Sequence, residues 1–378
     1  MVDFNFNLMD ICVAGVKALK PYEPGKPISE LQREYGVRDV IKLASNENPL
    51  GPSPKALAAV RAALASLAIY PDGQAHELRR VLAAKHALDP TCITFGSGSD
   101  ENLLLVARAF LQPGTNAVFS RYSFAVYPII TQASGAESRV AEANPANDPT
   151  APFGHNLENL VGLIDADTRV VFIANPNNPT GTWVNKAALR HFLQRVPART
   201  LVVVDEAYTQ YVEELEYPDC SRWLDDFPNL IVTRTFSKVY GLAGLRCGYS
   251  LSHPRVADLL NRLREPFNTG NLAQAGALAA LGDDAHVQRS VQLNRAGRAQ
   301  LQTGFREFGL KWLPSVANFL TVDFGKPAHP IYGALLHSGI IVRPLVNYGL
   351  PKHLRITIGL PEHNERLLTA LERILGCQ

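Results

Sequence analysis

A doubly wound α/β fold with a mostly parallel sheet, followed by a smaller C-terminal α/β domain, is the architecture this sequence predicts. Two observations carry the reading. Through residues 46–270, short apolar runs alternate with helical patterns, which is the signature of parallel strands joined by crossover helices. From about residue 271 the texture changes to one long amphipathic pattern followed by shorter strand and helix signals.

In chain order, residues 1–45 read as an arm carrying Lys20-Pro21-Tyr22-Glu23-Pro24-Gly25-Lys26-Pro27 and one short helical pattern. Pro54 to Ala68 reads as a helix, with Ser53 as N-cap and Pro54 at the first helical position. His76 to Leu88 is a second helix. Apolar runs at Cys92–Phe95, Ala117–Ser120, Val170–Ala174, Leu201–Val204 and Leu230–Val232 read as strands. Helical patterns such as Glu101–Leu111 and Lys186–Arg195 separate most of them. The large domain is therefore expected over 46–270 and a small C-terminal domain over 271–378. The small domain contains a helix over Asp284–Phe308, a strand over Phe319–Phe324, a helix near His329–His337, strands near Ile340–Val342 and Leu354–Ile358, and a final helix.

Bulk properties narrow the functions. The 378 residues, 46% hydrophobic, suffice for a sizeable core. A net charge of +2 without runs of like charge predicts neither a nucleic-acid nor an anionic-membrane partner. Cys12, Cys92, Cys220, Cys247 and Cys377 are scattered and odd in number, so neither a disulfide framework nor a zinc site is expected, and no metal. No stretch is long enough to span a bilayer and no leader pattern opens the chain, so a reducing cytoplasm is the expected location.

In open α/β sheets ligands gather at the carboxyl ends of strands, and the polar residues of interest sit there. Lys238 follows Arg234-Thr235-Phe236-Ser237 at the end of a buried strand, with Arg246 eight residues on. An amine, a hydroxyl and a guanidinium so placed suit a pyridoxal phosphate enzyme: the amine forms a Schiff base with the aldehyde, and Ser237 and Arg246 hold the phosphate. Asp205 ends Leu201-Val202-Val203-Val204, a run buried on both faces, and a carboxylate there needs a partner such as a protonated pyridine nitrogen. Asn178, in Asn175-Pro176-Asn177-Asn178-Pro179, and Tyr208 can both reach the cofactor's phenolic oxygen; for the Asn/Pro stretch a plain turn is the alternative. Gly96-Ser97-Gly98-Ser99-Asp100-Glu101 joins a strand to a helix and suits an anion at a helix N-terminus, although Ser99 or Asp100 could equally cap that helix. It is neither a dinucleotide fingerprint nor a Walker loop. Tyr122 suits stacking on the ring, with core packing as the alternative. Arg343 and Arg355 close strand patterns near the C-terminus and together suit an anion-binding wall, with a surface salt bridge as the alternative for either.

Taken in order, these motifs resemble the class I/II aminotransferases of the fold-type I pyridoxal phosphate enzymes over essentially the whole chain. The motifs Leu43-Ala44-Ser45-Asn46-Glu47-Asn48-Pro49-Leu50-Gly51-Pro52, Tyr70-Pro71-Asp72-Gly73 and Gly241-Leu242-Ala243-Gly244-Leu245-Arg246 are most similar to the histidinol-phosphate subgroup. The resemblance implies that Lys238 binds pyridoxal 5′-phosphate covalently, that Asp205 pairs with its ring nitrogen, and that Asn178 and Tyr208 contact its phenolic oxygen. It also implies stacking by Tyr122 and a phosphate held by Ser99, Asp100, Ser237 and Arg246. Tyr70 would reach the phosphate of a second subunit, which makes a homodimer part of the expectation. Arg355 would take the anionic end of the substrate, with Tyr22 and Arg343 adding contacts for a phosphate ester. Arg121, beside Tyr122, departs from the family pattern.

The activity so implied is a ping-pong transamination between L-histidinol phosphate and 2-oxoglutarate, giving imidazole acetol phosphate and glutamate. An aromatic-amino-acid aminotransferase and a pyridoxal-dependent decarboxylase or lyase are the neighbouring readings. A non-catalytic ligand sensor is a more distant one; it would need an added DNA-binding domain, for which the arm before residue 46 is too short.

Overall fold

The structure is a computed structural model and describes residues 6–376, so Cys377 lies outside the described residues. The first segments are short helices, α1 (Leu8–Ile11) and α2 (Ala14–Lys17), then α3 (Ile28–Tyr35) and strand β1 (Ile41–Lys42). The large body follows as α4 (Pro54–Ala63), α5 (His76–His86), β2 (Ile93–Gly96), α6 (Ser99–Phe110), β3 (Asn116–Ser120), α7 (Val126–Ala133) and β4 (Glu137–Ala141). It continues with α8 (Leu157–Gly162), β5 (Thr168–Ala174), α9 (Lys186–Arg195), β6 (Leu201–Asp205), β7 (Leu230–Thr235), β8 (Gly248–Ser252), α10 (Pro254–Leu263) and α11 (Asn271–Leu281). The remainder is α12 (Asp284–Glu307), β9 (Lys311–Trp312), β10 (Phe319–Asp323), α13 (His329–His337), β11 (Ile340–Ile341), β12 (Arg343–Pro344), β13 (His353–Thr357) and α14 (Pro361–Leu375).

Seven strands form the central sheet in the order β2-β8-β7-β6-β5-β3-β4. The β7-β6-β5-β3-β4 pairings are all parallel, and only β8 runs antiparallel to both its neighbours. Strands β6 and β7 are buried along their whole length and β5 along nearly all of it, and the Leu201–Val204 run of β6 is apolar on both faces, as the sequence predicted. Ser53 caps α4 by accepting from the Ala56 N–H at 3.1 Å, and the predicted helix to Ala68 instead ends at Ala63 and tightens into a 3₁₀ turn over Leu64–Ser66.

Two strands of the central sheet escaped the sequence reading for a physical reason. The sequence of β4, Glu137-Ser138-Arg139-Val140-Ala141, belongs to a partly solvated sheet edge. The other, β8, is Gly248-Tyr249-Ser250-Leu251-Ser252, fully buried although half its side chains are polar or absent. The Ser250 hydroxyl meets its need for a partner by donating to Asn102 Oδ1 at 3.2 Å.

The C-terminal residues form a four-stranded antiparallel sheet, β12-β13-β10-β9, covered by α12 and α14. Strand β1 pairs in parallel with β11, and Leu31 of α3 packs with Ala44, Leu336 and Ile341, so residues 28–45 pack on the C-terminal body. On the other side, Ala273, Ala277, Ala280 and Leu281 of α11 join the core beneath the central sheet, so apolar packing runs across the expected 270/271 boundary.

Phe172 of β5 is fully buried and its ring stacks on Tyr127 of α7 with centroids 4.8 Å apart. Phe172→Ala is expected to cost about 3–5 kcal/mol of stability, as cavity-forming aromatic truncations do. Urea denaturation of the two proteins measures it; a loss under ~1 kcal/mol would mean that the site collapses around the void.

Candidate active site

A cavity of about 440 Å³ opens at the carboxyl edge of the central sheet, between it and the C-terminal body. The direction of β8 explains half of its composition. Running antiparallel, β8 starts at the edge where β2 and β7 end: Gly248 pairs with both Gly96 and Thr235. Ser99 and Asp100 after β2, Ser237 after β7 and Arg246 before β8 are thereby brought to one place.

That place is built for an anion. Gly98 occupies the cap position of α6 and no side chain caps the helix, so neither Ser99 nor Asp100 takes the capping role that the sequence left open. The free N–H groups and positive dipole end face the cavity. Gly98 has φ +82°, and a Cβ there would lie 2.2 Å from Arg246 Nη2; one on Gly248 would lie 2.3 Å from the Ser99 nitrogen. Only glycine lets guanidinium, helix end and strand approach so closely. Arg246 Nη1 donates to the Ser237 hydroxyl at 3.3 Å, and Nη2 lies 3.5 Å from the Asp100 carboxylate.

Lys238 reaches in from the end of β7, its Nζ donating to the Ser45 carbonyl at 3.1 Å. Burial, and then the Arg355 charge, push its ammonium down to about 8, so a neutral amine is accessible near physiological pH. Asp205, at the end of β6, accepts from the Thr233 hydroxyl and from the Tyr127 hydroxyl, each at 3.1 Å. Burial nonetheless raises its carboxyl to about 6. Burial also raises Tyr208 to about 12, which keeps the phenol protonated, and its oxygen accepts from Asn46 Nδ2 at 2.9 Å, leaving the hydroxyl proton to donate elsewhere.

The opposite wall comes from the C-terminal sheet. Arg343 and Arg355 sit directly across from one another on β12 and β13, and both are buried. Arg355 Nη1 donates to Asn178 Oδ1 at 2.6 Å and Nη2 to the Ala44 carbonyl at 2.5 Å, while its Nε is buried without a partner. Arg343 donates to the Glu23 carbonyl at 2.6 Å and lies 5.7 Å from the centroid of the Tyr22 ring, which also lines the cavity. Among the described residues neither arginine forms an ion pair.

Two expected residues are placed elsewhere. The Tyr122 ring does not line the cavity; it packs edge-on against Phe153 at 5.1 Å and lies under the Arg121 guanidinium at 5.8 Å. Phe124, two residues on, lines the cavity instead. Arg121 is held at the surface by Glu142 at 2.9 Å. Tyr70 is 78% exposed and stacks on Phe267 at 4.6 Å, away from this chain's cavity. The sequence reading assigned no role to Tyr127 or Asn46, which hold Asp205 and Tyr208. The signal available for Asn46 was its place in the Leu43–Pro52 motif; a buried tyrosine in an apolar helix gave none.

Comparison with known proteins agrees with this geometry. The model of the family described as aminotransferase class I and II matches residues 38–371. The chain belongs to that family. It is 54% identical over 372 residues to histidinol-phosphate aminotransferase 2 of Pseudomonas fluorescens strain Pf0-1, covering 98% of this chain and 99% of the relative. It is 55% identical over 364 residues to the protein of the same name in Pseudomonas aeruginosa, covering 96% and 97%. Among solved structures, histidinol-phosphate aminotransferase from Sinorhizobium meliloti, in complex with pyridoxal-5′-phosphate, superposes with a TM-score of 0.87 at 29% identity, covering 97% of each chain. The family shares the α/β architecture described above.

The hydrogen bond from Tyr127 favours the ionised form of Asp205. Tyr127→Phe removes it, so the Asp205 carboxyl is expected to titrate higher and pyridoxal phosphate to bind roughly five-fold more weakly, the worth of about 1 kcal/mol. Titration of the unloaded protein with pyridoxal phosphate, followed by absorbance, reads the change; unaltered affinity would exclude a role for this bond.

Proposed function

We propose that this aminotransferase uses pyridoxal 5′-phosphate to move the amino group of L-histidinol phosphate to 2-oxoglutarate, as a homodimer in the cytoplasm. The observation that carries the substrate assignment is the pair of buried guanidiniums, Arg343 and Arg355, facing each other across two strands without an acidic partner. Like charges placed directly opposite destabilise a sheet unless an anion joins them. Arg355 alone suits the carboxylate of glutamate, and the second guanidinium favours the doubly charged phosphate ester. The names of the relatives at 54–55% identity support the same reading.

The residues present fit the cofactor. Arg246, Ser237 and the uncapped end of α6 form a cradle that a Cβ on Gly98 or Gly248 would fill. Asp205 is a buried carboxylate suited to a protonated ring nitrogen, and Asn178 and Tyr208 present donors on the same side as Lys238. When bound, pyridoxal phosphate supplies an electrophilic aldehyde and an electron sink for the substrate Cα. Phe124 is the cavity-lining ring placed to cover it, the role expected of Tyr122.

Within that arrangement Lys238 does two things. Its neutral amine is the nucleophile that captures the cofactor, and once displaced by the substrate's amino group it is the base that takes the Cα proton. A positioned base of this kind contributes roughly 10²–10⁴-fold. Arg355 fixes the substrate's anionic end and, through Asn178, orders the loop after β5. After burial, its charge is the next cause that weakens the nearby amine's hold on its proton.

The homodimer is supported by exposed apolar residues around Tyr70. Leu67 is 63% exposed, Ile69 70% and Phe267 42%, a patch that a second copy would cover while carrying Tyr70 to the partner's phosphate site. No helix among the described residues is long and apolar enough to cross a membrane, which is consistent with action in the cytoplasm.

A half-reaction without keto acid tests the assignment. Loaded enzyme mixed with histidinol phosphate is expected to lose the absorbance of the bound cofactor at far lower concentrations than with phenylalanine; the reverse preference would make the protein an aromatic-amino-acid aminotransferase. Lys238→Ala is expected to bind the cofactor without turnover. A second expectation follows from the depressed lysine. Only the neutral amine attacks, so the rate of cofactor loading should rise with pH through about 8. Arg355→Met removes a repelling charge, raises the lysine's pKa and should move that rise to higher pH. A loading rate flat across this range would exclude the depressed amine.

A further inference from the structure

Behind the wall that carries Asp205 lies a buried charge cluster that the reaction described so far does not use. The Glu206 N–H continues the ladder by donating to the Thr233 carbonyl at 2.9 Å, so side chains alternate there as along a strand. Asp205 faces the cavity, with Thr233 bonded to it on the same side of the sheet; Glu206 and Arg234, one residue on in each case, face away and meet. Arg234 Nε and Nη2 donate to Glu206 Oε2 at 2.9 and 2.6 Å, and Nη2 also donates to Asp219 Oδ1 at 2.7 Å. Arg234 Nη1 lies 3.4 Å from His86 Nδ1, and His86 Nε2 lies 3.0 Å from the Tyr249 hydroxyl. Glu206 is 0% exposed, and its other oxygen accepts from the Cys220 N–H at 3.1 Å.

A buried ion pair of this kind gains little over an apolar pair of the same volume, so stability alone is a weak reason for it. Its location supplies a better one. We infer that Glu206 and Arg234 are positioning residues for the transamination, locking the ends of β6 and β7 so that Asp205 and Lys238 keep their spacing, and cancelling charge behind Asp205. The inference rests on the pyridoxal phosphate reading. Arg234 lies four residues before Lys238, and Glu206 adjoins Asp205, so a shift of either strand end moves one reactive group relative to the other. A displacement near 1 Å costs on the order of 10²-fold in rate. The titratable groups that act on Asp205 itself are Tyr127 from α7, Asp100 from α6 and Tyr208 from the loop after β6, and the cations lining the same cavity are Lys238, Arg246, Arg343 and Arg355. Glu206, Arg234 and Asp219 act on it from behind as a cluster in which one guanidinium offsets two carboxylates.

The test is the pH dependence of pyridoxal phosphate affinity in the unloaded enzyme, which should fall as Asp205 takes up a proton near pH 6. Arg234→Gln leaves two carboxylates without their guanidinium and should move that midpoint up by roughly one pH unit; Glu206→Gln leaves Arg234 paired with Asp219 alone, removes one negative charge and should move it down by a similar amount. The double variant should return the midpoint to the wild-type value. In the loaded enzyme, Arg234→Lys keeps the charge but loses the fork; it should hold the midpoint while lowering kcat about 10- to 100-fold with little change in KM. Asp219→Asn, at a half-exposed side chain, should shift the midpoint down and stands in if the buried variants do not fold. Midpoints and kcat unchanged in folded variants that merely melt earlier would overturn the proposal. A wild-type protein that takes up no pyridoxal phosphate would overturn the reading beneath it and the proposal with it.

Discussion

Because β8 lies antiparallel between β2 and β7, the backbone entering it is delivered to the edge of the sheet where its neighbours end, and the anion site depends on that geometry. A wholly parallel sheet would put the start of β8 at the far edge, about a strand's length from the helix end that needs Arg246. The antiparallel strand also explains the glycines. Gly248 must pass within contact distance of Ser99, and Gly98 must leave room for a guanidinium, so both positions exclude any side chain. Fold topology, backbone freedom and charge placement are here one constraint seen at three scales.

The electrostatics of the cavity follow from which charges lack partners. Among the described residues eleven of the 26 arginines find a carboxylate; Arg343 and Arg355 find backbone carbonyls and an amide oxygen instead. Such contacts satisfy hydrogen-bonding capacity without neutralising charge, so the wall stays positive and attracts an anion. The same field, added to desolvation, lowers the Lys238 ammonium. One arrangement thus recruits substrate and prepares the nucleophile, and filling the anion site would relax the repulsion on the lysine.

Much of this was legible in the sequence because the informative residues stand at the ends of apolar runs. Lys238, Asp205, Asn178, Tyr208 and Ser237 are each fixed by a strand whose burial the run itself declares, Arg246 was read from its spacing to Lys238, and all line one cavity. The aromatic cluster at 122–127 was not legible in the same way. There the chain leaves β3, turns and enters α7, so the side-chain period changes within six residues. Which of Tyr122, Phe124 and Tyr127 faces inward is settled by that turn, and the structure sends them to three different environments. Strand β8 was missed because only Tyr249 and Leu251 join the apolar core, while Gly248, Ser250 and Ser252 interrupt the run and the Ser250 hydroxyl is buried against Asn102.

Arg355 connects what the sequence lists far apart. One guanidinium joins β13, the Asn178 loop after β5 and the arm residue Ala44, which itself packs with α3 and α13. Asn46, two residues further along the chain and just past the arm, is held by Thr357 of the same strand and in turn holds Tyr208. The arm therefore takes part in the floor of the cavity rather than merely covering it. An anion on Arg355 would compete for the donors that now bind Asn178 and Ala44, so substrate binding is coupled to the arm and to the loop that presents Asn178. The groups that recognise the substrate and those that orient the reacting centre share hydrogen bonds, and neither set can move without the other.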